Sequence, residues 1–433
     1  MKGARFMSVA VTTQMVLAAA IFCVTYGALV FRNRRRAKLP LWLIFLMGGV
    51  LVMLAGLVSP AQAQSAVDLR VIAFLFSMFA ITAGLQISGD LDRFTRWIVG
   101  HAHRPGELVL FVSVGFGLAS SVLMNDTLAV MGTPILIATA RSLGMKAKPL
   151  LLTLAFAVTI GSALTPIGNP QNMLIAVESG MPQPFLYYVY YLLPSTLINI
   201  GILSGFVYLV FRKDLKAMKG APPGDEPPCD RRLSLLSRAA LALAVGGMVA
   251  VNVLSLVGLS YDIGISEVAL AAAAFLLLAS KRRSEILAKV DWGVLVMFAG
   301  LFVFTRGIYN GGLVDLIKPI FGSFTGLELL LFIVVSSVAI SQIVSNVPLV
   351  TLLLPLYAQI IPATSIALWA AFAGSSTLAG NVTLLGAASN LIIVEQAEKE
   401  GEQIGFGEFL KLGIPLSLAC LAVLILTFIP YAK

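Results

Sequence analysis

The sequence predicts an all-α polytopic membrane protein built as two inverted repeats. Each repeat has about five spanning helices, one of them broken at midplane, plus one re-entrant helical hairpin. Three observations predict this. The 433 residues are 58% apolar and only 12% charged, against roughly half and a quarter in a soluble domain. Basic residues gather in alternate loops. A set of polar, Gly and Pro residues in the first half returns, in order, in the second.

Apolar stretches near the roughly 20 residues that cross a bilayer fall at about 7–31, 40–58, 70–88, 149–177 and 185–211, then at about 237–258, 264–280, 290–308, 364–394 and 407–430. Two more, 107–140 and 326–358, carry polar residues and a proline at their centres and are read as hairpins that enter and leave on one side. Irregular backbone at that depth survives only where protein or water satisfies it. The organisation is therefore an N-terminal repeat, 1–211, with hairpin 107–140 and broken helix 149–177. A Pro- and charge-rich cytoplasmic linker, 212–236, follows. The C-terminal repeat, 237–433, has hairpin 326–358 and broken helix 364–394. Stretches 89–104 and 309–323 look amphipathic and suit the membrane interface.

Charge tests the topology. Loops 32–38, 89–105, 141–148, 212–238, 281–289 and 395–411 hold 24 of the 30 Lys and Arg, whereas 59–68, 178–184 and 259–263 hold none. By the positive-inside rule the first set is cytoplasmic, and both termini face the periplasm or outside of an inner (plasma) membrane. A full crossing by either hairpin would break the alternation. Ala61-Gln62-Ala63 resembles a signal-peptidase site but follows a second apolar span, so it is read as loop.

The repeat is carried by named residues. The first hairpin tip reads Met124-Asn125-Asp126-Thr127, with Pro134 nine residues after the Asn; the second reads Ser345-Asn346-Val347-Pro348, with Pro355 nine after the Asn. Thr165, Gly168 and Asn172 in the first broken span recur at identical spacing as Thr383, Gly386 and Asn390 in the second. Phe185 and Pro194 are echoed by Phe406 and Pro415. A helix interrupted at midplane frees backbone N–H and C=O groups. Its N-terminal ends favour anions, and its loose carbonyls favour cations.

The candidate substrate-binding set is therefore Asn125, Thr127, Thr165, Gly168, Asn169, Asn172, Ser345, Asn346, Thr383, Gly386, Ser389 and Asn390. Four clusters, around Asn125, Gly168, Asn346 and Gly386, are expected to converge on one site. Asn125, Asn172, Asn346 and Asn390 are expected to contact substrate or orient the loops; the bland alternative is that they cap and pack short helices. Asp126 is costly to place at that depth. It suits a coupling proton or cation, and equally a helix N-cap. Arg306 is read as interfacial, since Tyr309 and Asn310 follow it, and Asp291 beside Trp292 as an interface anchor.

These motifs, Asn-Asp in a hairpin, TPIGNPQN in a broken span, SNVP in the second hairpin and GNVTLLGAASN in the second broken span, resemble the ion transporter superfamily: arsenite permeases, citrate and dicarboxylate/sodium symporters and some sodium/proton antiporters. The resemblance covers nearly the whole chain. It implies a scaffold, a mobile part containing the hairpins, and elevator-like alternating access. Dicarboxylate symporters carry Ser-Asn-Thr at both tips, a pattern absent here. The Asn-Asp tip and the Asn-x-Pro-type tip are closer to arsenite permeases. The expectation is arsenite and antimonite efflux exchanged for protons. Sodium- or proton-coupled dicarboxylate, citrate or inorganic anion transport is the alternative, with sodium/proton antiport a minor one.

Other classes fit less well. A channel needs a polar pore lined by repeated charge, and none is apparent. A GxxxxGK[ST] loop is missing, so the chain is no ATPase by itself. No paired carboxylates or His/Cys/Asp cluster at hairpin depth suggests an enzyme. Cys23, Cys229 and Cys420 are widely spaced, and His101 and His103 sit beside Arg104 in a basic loop; neither set suggests a metal site. The net charge of +9 lies in short runs between spans, which argues against nucleic acid. The expected partners are a small anion or metalloid substrate and membrane lipid. No cofactor is expected beyond a coupling ion, H+ favoured and Na+ open. A homodimer and a separate ATPase subunit stay open.

Overall fold

The computed structural model describes residues 12–31, 39–215, 229–259, 263–313, 324–362 and 364–432. The basic loop 32–38, linker residues 216–228 and the stretch 314–323 lie outside the described residues. Among the described residues the chain is all-helical. Its first half runs α1 (Thr13–Phe31), α2 (Leu41–Leu54), α3 (Pro60–Ala66), α4 (Leu69–Ile87), α5 (Asp90–Gly100), α6 (Pro105–Ser120), α7 (Asn125–Ser142), α8 (Lys148–Ser162), α9 (Pro170–Glu178) and α10 (Pro184–Leu215). Its second half runs α11 (Arg231–Leu256), α12 (Ile265–Ala279), α13 (Arg283–Lys289), α14 (Trp292–Asn310), α15 (Gly326–Val344), α16 (Asn346–Tyr357), α17 (Ile366–Leu378), α18 (Ala388–Lys399) and α19 (Phe406–Phe428). Six helical segments among the described residues, Leu69–Ile87, Pro184–Leu215, Arg231–Leu256, Trp292–Asn310, Gly326–Val344 and Phe406–Tyr431, are long and apolar enough to cross a membrane.

The starts of these helices are written locally. Ser59, Asp68, Asn169, Asp230 and Asp291 each cap a helix by accepting from a backbone N–H two or three residues on, which satisfies one of the donors every helix start leaves free. Pro60, Pro105, Pro149 and Pro170 open helices in their first turn, where no N–H is needed. Within apolar segments, hydroxyls turn back on their own helix: Thr82 donates to Met78 O (2.6 Å) and Thr133 to Ala129 O (2.7 Å), leaving no polar atom to lipid. Residues 60–66, expected as loop, form α3, because Ser59 and Gln62 make a capping box.

Both predicted hairpins are helix pairs, α6–α7 and α15–α16. Both predicted broken spans are interrupted, between Ser162 and Pro170 and between Asn381 and Ala388. Two packing groups result. In one, α2 lies along α14, α4 along α12, and α11 against both α4 and α12. In the other, α6 packs on α8 and α10, α15 on α17, and α10 on α19. The halves exchange partners: α7 packs on α18, and α16 on α9.

The helices approach closely where side chains vanish. A Cβ on Gly161 of α8 would lie 1.8 Å from Gly117 O of α6, the small-residue contact by which membrane helices bring their backbones together. At the face carrying the basic loops, buried Asp90 accepts from Ser88 Oγ (3.1 Å), Ser234 Oγ (2.9 Å) and Arg238 Nε (3.1 Å). This ties the amphipathic helix α5 to the start of α11.

Candidate functional site

A cavity of about 440 Å³ lies where the two hairpin tips meet the two interrupted spans. Asn125 and Asp126 of α7 and Ser345 and Asn346 at the second tip line it. So do Pro170 and Gln171 at the start of α9, and Ala387 and Ala388 at the start of α18. All four helices thus present their N-terminal, positive dipole ends to the cavity. The opposite wall is Trp42 of α2, Asp291 at the cap of α14, and Val294 and Met297 within α14. The cavity therefore lies between the two packing groups. Its acidic lining residues are Asp126, Asp291 and Glu395; among the described residues none of the lining is basic.

The tips are bound to the breaks by recurring bonds. Asn125 N donates to Gly168 O (3.0 Å), and Ser345 Oγ donates to Gly386 O (3.3 Å). Thr165 Oγ1 donates to Ser121 O, and Thr383 Oγ1 to Gln342 Oε1 (2.9 Å). Asn172 Nδ2 donates to Ser162 O (3.0 Å) and Thr165 O (3.3 Å); Asn390 Nδ2 donates to the matching carbonyls of Gly380 (2.8 Å) and Thr383 (3.4 Å). Each Asn closes the loose carbonyls of the interrupted helix before it, carbonyls that would otherwise face an apolar setting unpaired. Ser345 holds φ +67°, ψ 165°, a conformation costing about 1–3 kcal/mol for a non-glycine residue. That strain sits at the second tip.

The predicted residues divide into two shells. Asn125, Asp126, Ser345 and Asn346 line the cavity. Thr165, Gly168, Asn169, Asn172, Thr383, Gly386, Ser389 and Asn390 stand behind it and hold its shape, and half-buried Thr127 is one residue past the lining. Asn169 caps α9 and its Nδ2 donates to Ser162 Oγ (3.1 Å) and Thr377 Oγ1 (3.2 Å). Ser389 Oγ accepts from Asn125 Nδ2 (3.4 Å), across the two halves. Gly168 has room for no side chain, since a Cβ there would lie 2.3 Å from Ser162 O. None of the ion pairs among the described residues involves Asp126.

Gln171 and Glu395 are further lining residues. Asp291, read as an interface anchor, caps α14 and also lines the cavity across from Asp126. Gln171 had a signal in the sequence, because it occupies the position that Ser389 holds in the second half.

The two shells predict different mutant behaviour. Asn172→Ala removes the donor that three carbonyls share and should cost about 3 kcal/mol of stability, read as a lower unfolding midpoint in detergent. Asn346→Ala should leave that midpoint nearer wild type and weaken substrate binding instead. Equal effects of the two on both readouts would remove the distinction.

Comparison with known proteins agrees with this architecture. The chain is 27% identical over 423 residues to a 46 kDa membrane protein of Mycobacterium leprae, covering 94% of this chain and 96% of that one. It is 28% identical over 440 residues to the silicon efflux transporter LSI3 of Oryza sativa subsp. japonica, covering 87% and 90%. The crystal structure of the Alcanivorax borkumensis YdaH transporter superposes with a TM-score of 0.59 at 18% identity, covering 88% of each chain, which shows a shared fold. The family model for CitMHS, the citrate transporter, matches residues 26–375; the chain is thus a multi-pass membrane transporter and belongs to the CitMHS citrate transporter family.

Proposed function

We propose that the chain is a secondary active transporter that exports a small metalloid oxyacid, arsenite or antimonite, in exchange for protons. The observation that carries this reading is the cavity in which both hairpin tips and both interrupted helices meet around Asp126. Two inverted repeats, 1–211 and 237–433, build the site. The reciprocal packing of α7 on α18 and α16 on α9, and the matching bonds of Asn172 and Asn390, support that division. The positive loops support an orientation with the cavity's mouth on the cytoplasmic side of the inner membrane and both termini outside.

Lining chemistry argues for the substrate class. Arsenous and silicic acids are uncharged near neutral pH and offer several hydroxyls to amide and hydroxyl groups such as Asn125, Ser345 and Asn346. A carboxylate anion would meet Asp126, Asp291 and Glu395 instead. The silicon efflux relative points the same way. A second reading, citrate transport, has the family's description in its favour.

In the cycle, α6–α10 and α15–α19 slide against the group of α2, α4, α11, α12 and α14. Taking a carboxylate out of water favours its protonated form, so Asp126 loads a proton on one side and releases it on the other. Purified protein in proteoliposomes with an internal pH-sensitive dye tests this. Arsenite, antimonite, silicic acid, citrate, succinate, sulfate and sodium are added in matched buffers. The expected result is proton movement with the metalloid acids. Movement evoked only by citrate, another anion or sodium reassigns the substrate and leaves the architecture untouched.

A further inference from the structure

The bonds between tips and breaks recur in both halves, and Gln171 stands outside them. Ser389, second residue of α18, accepts from Asn125 Nδ2 of the first tip (3.4 Å). Gln171, second residue of α9, holds the matching place, one before Asn172 as Ser389 is one before Asn390. The repeat would pair it with Asn346 of the second tip. Asn346 turns elsewhere: its Oδ1 accepts from Ser341 Oγ (2.6 Å), and its Nδ2 donates to Thr377 O (3.5 Å).

Gln171 is 3% exposed and lines the 440 Å³ cavity, yet no hydrogen bond among the described residues uses its side-chain amide. Both polar atoms of that amide reach open space rather than being walled in, and the cavity is the open space beside them. The neighbouring lining groups are engaged. Asn125 Oδ1 accepts from Asp126 N (2.9 Å), Asn125 Nδ2 donates to Ser389, and Ser345 Oγ donates to Gly386 O (3.3 Å). Each keeps some capacity for a ligand, but Gln171 keeps all of its own. Its place is fixed beforehand, because Asn169 caps α9 and Pro170 sets the first turn.

We propose that Gln171 is the specificity-determining residue of the site, its amide oxygen accepting from, and its amide nitrogen donating to, the hydroxyls of an undissociated oxyacid. The proposal rests on the transporter reading above and names what selects the substrate. A hydroxyl both donates and accepts, so it can satisfy either end of the amide. An ionised carboxylate only accepts. It would serve Gln171 Nε2, leave Oε1 without a donor, and meet the acids of the same wall, Asp126, Asp291 and Glu395. Rotating the amide exchanges its ends without changing this sum. A site built to bond a hydroxyl rejects a ligand that lacks one, because the buried polar group is then left unpaired.

Calorimetric titration of the purified protein near neutral pH tests this with no ion gradient present. The probes are arsenite, silicic acid and citrate. Gln171→Met keeps the side chain's length and removes both donor and acceptor. It should weaken arsenite and silicic acid binding about tenfold or more, the loss of a hydrogen bond to a buried partner. The unfolding midpoint of the empty protein should stay level or rise, since the amide has no protein partner to lose. Gln171→Glu, which keeps an acceptor, should bind arsenite with an affinity between the two. Wild-type arsenite affinity in Gln171→Met, or a weakening matched by a fall in the unfolding midpoint, overturns the assignment and leaves the transporter reading intact. Wild-type protein that binds neither oxyacid overturns both this assignment and the substrate reading. Arsenite binding that depends on Gln171, without proton movement in proteoliposomes, supports the assignment and overturns the proton exchange alone.

Discussion

Asp126→Asn is expected to abolish proton movement coupled to substrate while leaving a folded, monodisperse protein. The local geometry separates these effects. The start of α7 is held by Asn125 N donating to Gly168 O and by Asp126 N donating to Asn125 Oδ1 (2.9 Å). Both bonds survive the substitution, because neither uses the Asp126 carboxyl. Asparagine keeps the side chain's size and polarity and loses only the titrating proton. Dye-reported proton flux should therefore fall at least tenfold, to the background of empty liposomes, while uptake of labelled substrate down its own gradient persists. Coupled flux at the wild-type rate would move the coupling role to another group, with Asp291 and Glu395 in the same cavity next in line.

Gly161→Ala is expected to cost most of the folded protein. Its Cβ would lie 1.8 Å from Gly117 O and 2.6 Å from Ser120 Oγ, and the first of these is backbone, which cannot rotate away. Relief requires α6 to move off α8, which would carry the first hairpin away from its break. Overpacking ordinarily costs about 1–3 kcal/mol; a clash with backbone at this depth belongs at or beyond the top of that range. Gly205→Ala in α10 is the control. A Cβ there meets nothing within 4 Å, and helix propensity alone favours the change by about 0.5–1 kcal/mol. Size-exclusion profiles and unfolding midpoints of the two variants, made side by side, should differ sharply. Similar behaviour would mean that the α6–α8 crossing is looser than its backbone spacing indicates.

The sequence announced the helices and the places where they break, because each has a local physical cause. Asn125 and Asn346, with a proline nine residues on, mark two helix starts, and the Thr-Gly-Asn spacing marks two interruptions. What it could not announce was which way the midplane asparagines turn. Asn172 and Asn390 look like ligands by type and depth. They face inward because an interrupted helix leaves carbonyls that need donors, a demand visible only once the chain is folded. The α3 helix was missed because seven residues are too few to show a period, although Ser59 and Gln62 carried its capping signal. Asp291 reads as an anchor from its neighbour Trp292. Its place opposite Asp126 depends on α14 packing beside α2, a contact between distant parts of the chain.

The exchange of partners between halves, α7 on α18 and α16 on α9, bears on ancestry. The second helix of each hairpin packs on the last interrupted helix of the other half, so neither half encloses the cavity alone. On the proposed inverted-repeat reading, a half-length ancestor would have paired with an upside-down copy of itself, which requires insertion into the membrane in both directions. Duplication and fusion would then have freed each half to settle its orientation. On that reading, the 7 basic residues within 212–238 would hold the junction of the two halves to one side.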